Sequence, residues 1–177
     1  MLDAAAELFY RDGVSIGVEA LCRTAGVSKR SMYQLFASKD EVLAASLERR
    51  APGYAAQLAP GERDALTPRE GILHIFEQAE RLSAGPDCQD WPFLAALVEL
   101  KNPEHPASVV AREAKERLQE AFRAQAELGG ARDPGLLARQ LMLVFDGASA
   151  RAGARIETLD GLTTATVTTL LDASGVA

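Results

Sequence analysis

Apolar residues recur along this chain at intervals of three and four. Leu2, Ala5, Ala6 and Phe9 make a first stripe, which Gly13 ends. Val18, Leu21, Cys22 and Ala25 repeat the i, i+3, i+4, i+7 pattern, and Gly26 closes a second helix. Ser28 is a natural N-cap for a short third helix. There Met32, Leu35 and Phe36 share the inward face, Arg30 and Gln34 point away, and Ser31 and Tyr33 lie on the flanks. Ser38 and Glu41 stand at capping-box spacing and open a fourth helix through Val42, Leu43, Ser46 and Leu47 to Ala51-Pro52 or somewhat beyond.

Beyond a connector from Ala59 to Pro68, Ile72, Ile75, Phe76, Ala79 and Leu82 stripe a fifth helix ending at Gly85-Pro86. Trp91-Pro92 opens a sixth, which Asn102-Pro103 closes. The pattern then predicts a long helix from Pro106 to Leu128 with Val110, Ala114, Leu118, Ala121 and Phe122 inward. An eighth follows from Leu136 to Ile156, apolar nearly all round between Leu141 and Ala150, and a last from Leu162 to Ala173. Nothing alternates with period two and nothing repeats. The fold class expected is all-α, of about nine helices.

Composition agrees with helices and narrows the setting. The 177 residues are 47% hydrophobic and only 6% aromatic, dominated by Ala and Leu. No apolar run is long enough to span a bilayer, and the start has neither the basic segment nor the apolar core of a signal peptide. Cys22 and Cys88 lie far apart without metal-ligand spacing, which points to a reducing, cytoplasmic location. Net charge is −6, but unevenly spread. Residues 1–50 carry seven Lys/Arg and seven Asp/Glu, whereas the remainder carries twelve and eighteen. A balanced segment with a local cationic face on an acidic body suits DNA binding through one end only.

The stretch AGVSKRSMYQLFASKD, residues 25–40, concentrates that chemistry. Two short helices joined by Gly26-Val27 read as a helix-turn-helix, since Gly26 allows the positive φ of a tight turn. Lys29, Arg30, Ser31, Tyr33 and Gln34 are then free to enter a major groove. Arg and Lys suit guanine edges, Gln suits adenine, and hydroxyls suit phosphates. Lys39, at the start of the fourth helix, reads as a phosphate clamp. A plain three-helix bundle with solvated cations is the bland alternative.

Across residues 1–47 the chain resembles the TetR family of bacterial transcriptional regulators. The residues that carry the likeness are Leu2-Asp3-Ala4-Ala5, Leu8-Phe9, Gly13, Ala25-Gly26-Val27-Ser28, Tyr33, Phe36 and Lys39 with its acidic followers. The resemblance implies base contacts from Lys29, Arg30 and Gln34 and phosphate contacts from Ser31, Tyr33 and Lys39. It implies a helix-turn-helix domain over 1–47 and a helical effector-binding and dimerisation domain over 48–177. The function so implied is a sequence-specific regulator of a double-stranded operator, a repressor released by a small-molecule effector. Three positions depart from the family pattern. Leu35 replaces a frequent His, Gly17 replaces a frequent capping Ser or Thr, and no polar or basic arm precedes the first helix.

For the second part the resemblance implies an inducer pocket and a homodimer through the last two helices. The residues agree on the dimer, because Gly147, Ala148, Ala150, Ala152 and Gly153 permit close approach beside the apolar surface of the eighth helix. Phe76, Trp91, Phe93, Leu97, Phe122, Met142 and Phe145 could together line an apolar cavity, each alone being ordinary core. Asp146 stands in an apolar stretch and needs a partner. It could cap a neighbouring helix, meet an Arg such as Arg151 across the dimer, or anchor a ligand. Cys22 reads as core, Cys88 as a pocket-edge residue, His74 as exposed and His105 as a loop residue. No metal and no cofactor are expected. Neither is an enzyme, for no nucleophile has a positioned base, no carboxylates pair, and no glycine-rich phosphate loop occurs. The competing class is a helical interaction adaptor with a degenerate DNA-binding domain.

Overall fold

The structure is a computed structural model that describes residues 1–61, 66–84, 92–156 and 158–177. Among them are nine helices and no strand: α1 (Leu2–Asp12), α2 (Val18–Thr24), α3 (Lys29–Leu35), α4 (Lys39–Leu58), α5 (Pro68–Ser83), α6 (Pro92–Leu100), α7 (Pro106–Leu128), α8 (Pro134–Gly153) and α9 (Leu162–Ser174). The chain divides into two compact units. One comprises Met1–Pro52 and Trp91–Ala114, the other Gly53–Asp90 and Lys115–Ala177. Each takes part of α4 and part of α7. None of the described helices is long and apolar enough to cross a membrane.

Local chemistry sets most helix ends. Ser28 caps α3 by accepting from the Ser31 N–H at 3.0 Å. Thr67 and Glu70 form a full capping box at α5, with Pro68 in the first turn. Ser38 accepts from the Glu41 N–H at 3.1 Å, while the Glu41 carboxylate reaches one residue further back, to the Ala37 N–H at 2.7 Å. The α4 start is therefore a stretched version of the expected box. Asp133 caps α8 through the Leu136 N–H at 2.9 Å. With Pro134 in its first turn, α8 begins two residues before Leu136, and it ends at Gly153 rather than Ile156. α4 continues through Pro52 to Leu58.

In the first unit, Ala5, Leu8 and Phe9 of α1 are buried together with Leu21 and Cys22 of α2, Met32 of α3, and Val42, Leu43 and Leu47 of α4. Phe93 and Ala96 of α6 and Ala107 and Ala111 of α7 are buried in the same unit. Leu35 departs from the sequence reading. It lies 72% exposed, because α3 stops there and Phe36 turns extended at φ −136°, taking the inward place itself as a half-buried ring. The second unit packs α5, α8 and α9 against one another, with α7 contributing Phe122 and Ala126. Phe76 is fully buried, stacked on Phe122 at 5.5 Å and edge-on to Phe145 at 6.1 Å. Ala121, expected inward on α7, is exposed, and His74, expected exposed, is half-buried beside Gln78 at 3.2 Å.

Glu80 of α5 supplies the cap that the sequence of α9 lacks. Its carboxylate accepts from the N–H groups of Gly161 and Thr163, at 3.0 and 2.8 Å, and from the Thr163 hydroxyl. At the other end of α9, Arg69 bonds the Val176 carbonyl at 3.0 Å and Asp172 at 2.6 Å.

Candidate nucleic-acid interface

The turn between α2 and α3 is built on backbone closure. The Val27 N–H donates to the Cys22 carbonyl at 3.0 Å and the Gly26 N–H to Arg23 at 3.3 Å, with Gly26 at φ +66°. A side chain there would strain the turn. Met32 drops fully into the core beneath it, its sulfur 3.8 Å from the Cys22 thiol, so Cys22 is the buried core residue expected. Burying Met32 fixes the opposite face of α3 outward. Lys29, Arg30, Ser31, Tyr33 and Gln34 are all exposed, Tyr33 by 50%.

The exposed cations differ in what they already hold. The Lys29 ammonium lies 2.8 Å from the Glu19 carboxylate of α2. This hydrogen-bonded pair raises the Lys29 pKa and lowers that of Glu19. Arg30 makes no ion pair among the described residues and is the freest of the predicted cations. Ser31 shares its hydroxyl with Ser28 at 2.8 Å. Lys39 is half-buried and donates to the carbonyls of Val14 and Ile16, at 2.9 and 3.1 Å. Two of its three N–H donors thus close the α1–α2 turn onto the start of α4, leaving one for an outside acceptor.

Glu99, which sequence reading passed over, and His105 hold the same corner. Glu99 of α6 accepts the Val14 N–H at 2.8 Å, and Gly13 at φ +83° leaves its carboxylate room. A Cβ at Gly13 would stand 2.9 Å from the Glu99 oxygen. His105 is the loop residue expected, directly before Pro106 of α7. Its Nδ1 accepts the Ala107 N–H at 3.1 Å, which leaves Nε2 protonated, 3.4 Å from Asp40. No spacing rule could have found Glu99, which meets Val14 across 85 positions.

The predicted effector set is divided. Phe76, Phe122, Met142 and Phe145 are buried in the second unit and pack as core. Phe93, buried, and Leu97, half-buried, belong to the first unit. Trp91 and Cys88 lie outside the described residues. Asp146 pairs with Lys115 of α7 within the second unit, and both are half-buried. A hollow of about 410 Å³ between α7 and α8, lined by Gln119, Glu120, Arg123, Asp133, Leu136 and Arg139, touches none of the predicted set. Its walls are mostly exposed polar side chains, which makes it a surface depression rather than an apolar pocket. No cluster of three potential metal ligands occurs among the described residues.

The outward face of α8 carries Leu136, Leu143, Gly147 and Ala150, Leu143 being 74% exposed. Of the five small residues expected at a seam, Ala148 and Ala152 instead turn inward. On α9, Thr166, Thr168 and Thr169 return their hydroxyls to the carbonyls of Leu162, Thr164 and Ala165 at 2.8, 2.8 and 3.1 Å. Their polar atoms are satisfied within the helix, so Thr166 and Thr169 offer methyl groups outward beside Leu162 and Ala165.

The profile of bacterial regulatory proteins of the tetR family matches residues 1–46. A transcriptional regulator of TetR type from Streptomyces avermitilis superposes with a TM-score of 0.96 at 58% identity, over 99% of this chain and 96% of that one. A TetR-family transcriptional regulator from Streptomyces coelicolor follows with a TM-score of 0.86 at 21% identity, over 98% and 93%. Reduced NemR from E. coli gives 0.81 at 20% identity, over 95% and 93%. The latter two share the fold. A comparison with curated proteins found no match. With 58% identity maintained over both chains and the helix-turn-helix profile at its start, this protein belongs to the TetR family of transcriptional regulators.

Proposed function

We propose that this regulator binds a duplex operator as a homodimer, with α3 in the major groove, and acts as a repressor that a small molecule releases. The observation that carries the DNA-binding part is the exposed polar face of α3 over a fully buried Met32. Arg30, Gln34 and Lys29 would face base edges, and Ser31 and Tyr33 the phosphates. Lys39 has one N–H left for a phosphate, its other two holding the α1–α2 turn. The apolar and methyl-bearing outward faces of α8 and α9 support the homodimer, whose two α3 helices would read successive half-sites. For the effector, Asp146 and Lys115 beside α7 and α8 are the polar pair nearest in chain position to Phe145 and Met142. An apolar effector would have to displace the packed ring cluster around Phe76.

Selection of duplexes from a random pool tests the reading. Enrichment of a two-fold related sequence, bound with affinity that falls steeply with salt, is expected. Failure to enrich any sequence refutes it and favours the adaptor reading.

A further inference from the structure

Among the cations proposed for DNA, Lys29 differs in being matched by an opposite charge on its own surface. Glu19 stands near the start of α2, ten positions before Lys29, and the turn at Gly26 brings the start of α3 within side-chain reach of it. Both side chains are exposed, Glu19 by 82% and Lys29 by 53%. Neither is therefore needed to fill the core, and an exposed pair of this kind adds little to stability. Its consequence is electrostatic. A carboxylate within hydrogen-bond reach of the first residue of α3 is carried to within a side chain's length of any DNA that α3 meets.

We propose that Glu19 is a specificity-determining residue of the DNA-binding surface, which neutralises Lys29 against phosphates and holds its ammonium for a base acceptor. The proposal rests on the reading of α3 as the DNA-contacting helix. Free lysines bind the backbone of any sequence, which strengthens non-specific and specific complexes together. A lysine held by a carboxylate contributes much less to that general attraction, because the pair is neutral and the carboxylate is itself repelled by phosphates. The Lys29 ammonium has three N–H donors and gives one to Glu19. The remaining two are left for outside acceptors such as the N7 and O6 of a guanine. Sequences lacking an acceptor there gain little from the neutral Lys29–Glu19 pair. Arg23, at the end of α2, also acts on Glu19 through space, but Lys29 is the group bonded to it.

The experiment compares the full chain with Glu19→Gln on two duplexes, the sequence selected by the wild type and a scrambled version, by fluorescence anisotropy over a salt series. Glu19→Gln is expected to bind the scrambled duplex several-fold more tightly, with a salt slope steeper by about 0.9 for each protomer whose Lys29 gains a phosphate, or about 1.8 for the dimer. Affinity for the selected duplex should rise less, so the ratio between the two falls. Glu19→Gln combined with Lys29→Gln should return the slope to that of the wild type. An unchanged ratio, or a slope that stays steep in the double variant, overturns the role of Glu19. If the wild type itself selects no duplex, it is the DNA-binding reading that fails.

Discussion

Lys39 offers the sharpest test, because sequence and structure assign it different work. From the sequence it is a phosphate clamp, and its removal should weaken every duplex alike. In the structure its ammonium closes the α1–α2 turn through the carbonyls of Val14 and Ile16. The informative change is Lys39→Met, which keeps most of the stem and removes the charge. Hydrogen bonds from a charged donor contribute about 1.5–3 kcal/mol each when buried. This group is half-buried and the freed carbonyls can turn to water, so about 2 kcal/mol for the two together is a reasonable expectation. For a chain of this length that corresponds to a fall of about 4–8 °C in the melting temperature. Circular dichroism melting of wild type and variant reads it directly. Anisotropy on the selected duplex, taken well below the transition, separates the DNA term. An unchanged melting temperature accompanied by weaker DNA binding would refute the turn-closing role and restore the simple clamp.

Arg30→Ala should cost discrimination rather than general affinity. About 1–3 kcal/mol is expected against the correct base at one position, visible as a relaxed base preference when the duplex selection is repeated. Phe76→Ala removes a fully buried ring stacked on Phe122 and should destabilise the second unit by about 3–5 kcal/mol in urea titration, so a loss under 1 kcal/mol would contradict the packing. Leu143→Glu places a charge on the outward face of α8, and light scattering should then report a monomer with unaltered helicity. The pKa values of Glu70, in the α5 capping box, and Asp3, bonded to Arg49, are lowered in the folded protein. Groups of this kind favour the fold above their ordinary pKa and lose that contribution as pH falls through the lowered one. Their contribution should therefore start to fall within the usual carboxylate range and be gone below the lowered pKa, and Glu70→Gln should flatten the low-pH limb of stability against pH.

Much of this protein can be read from local sequence. Period, caps and breakers act over a few residues, and they suffice for the nine described helices, for the third helix starting after Ser28 and for α7 running from Pro106 to Leu128. They place Met32 inward, and with it the polar set of α3 outward. The same local rules could not foresee that α3 would end at Leu35 with Phe36 extended, since either residue can occupy the inward corner of so short a helix. Nor could they foresee the division of the aromatic set, because Phe93 and Phe76 look alike as apolar positions and only packing assigns them to different units.

Partnership between charges is the other thing tertiary structure decided. Lys29, Arg30 and Lys39 are equivalent as letters, yet one is neutralised by Glu19, one has no ion partner among the described residues, and one is spent on backbone carbonyls. Asp146 met Lys115 from α7, Glu80 became the cap of α9, and Glu99 reached Val14. Each of these pairings joins residues far apart in the chain, and their meeting depends on how helices pack. Local periodicity is enough to turn the polar face of α3 outward, whereas the packing of the helices sets which of its charges are free to act.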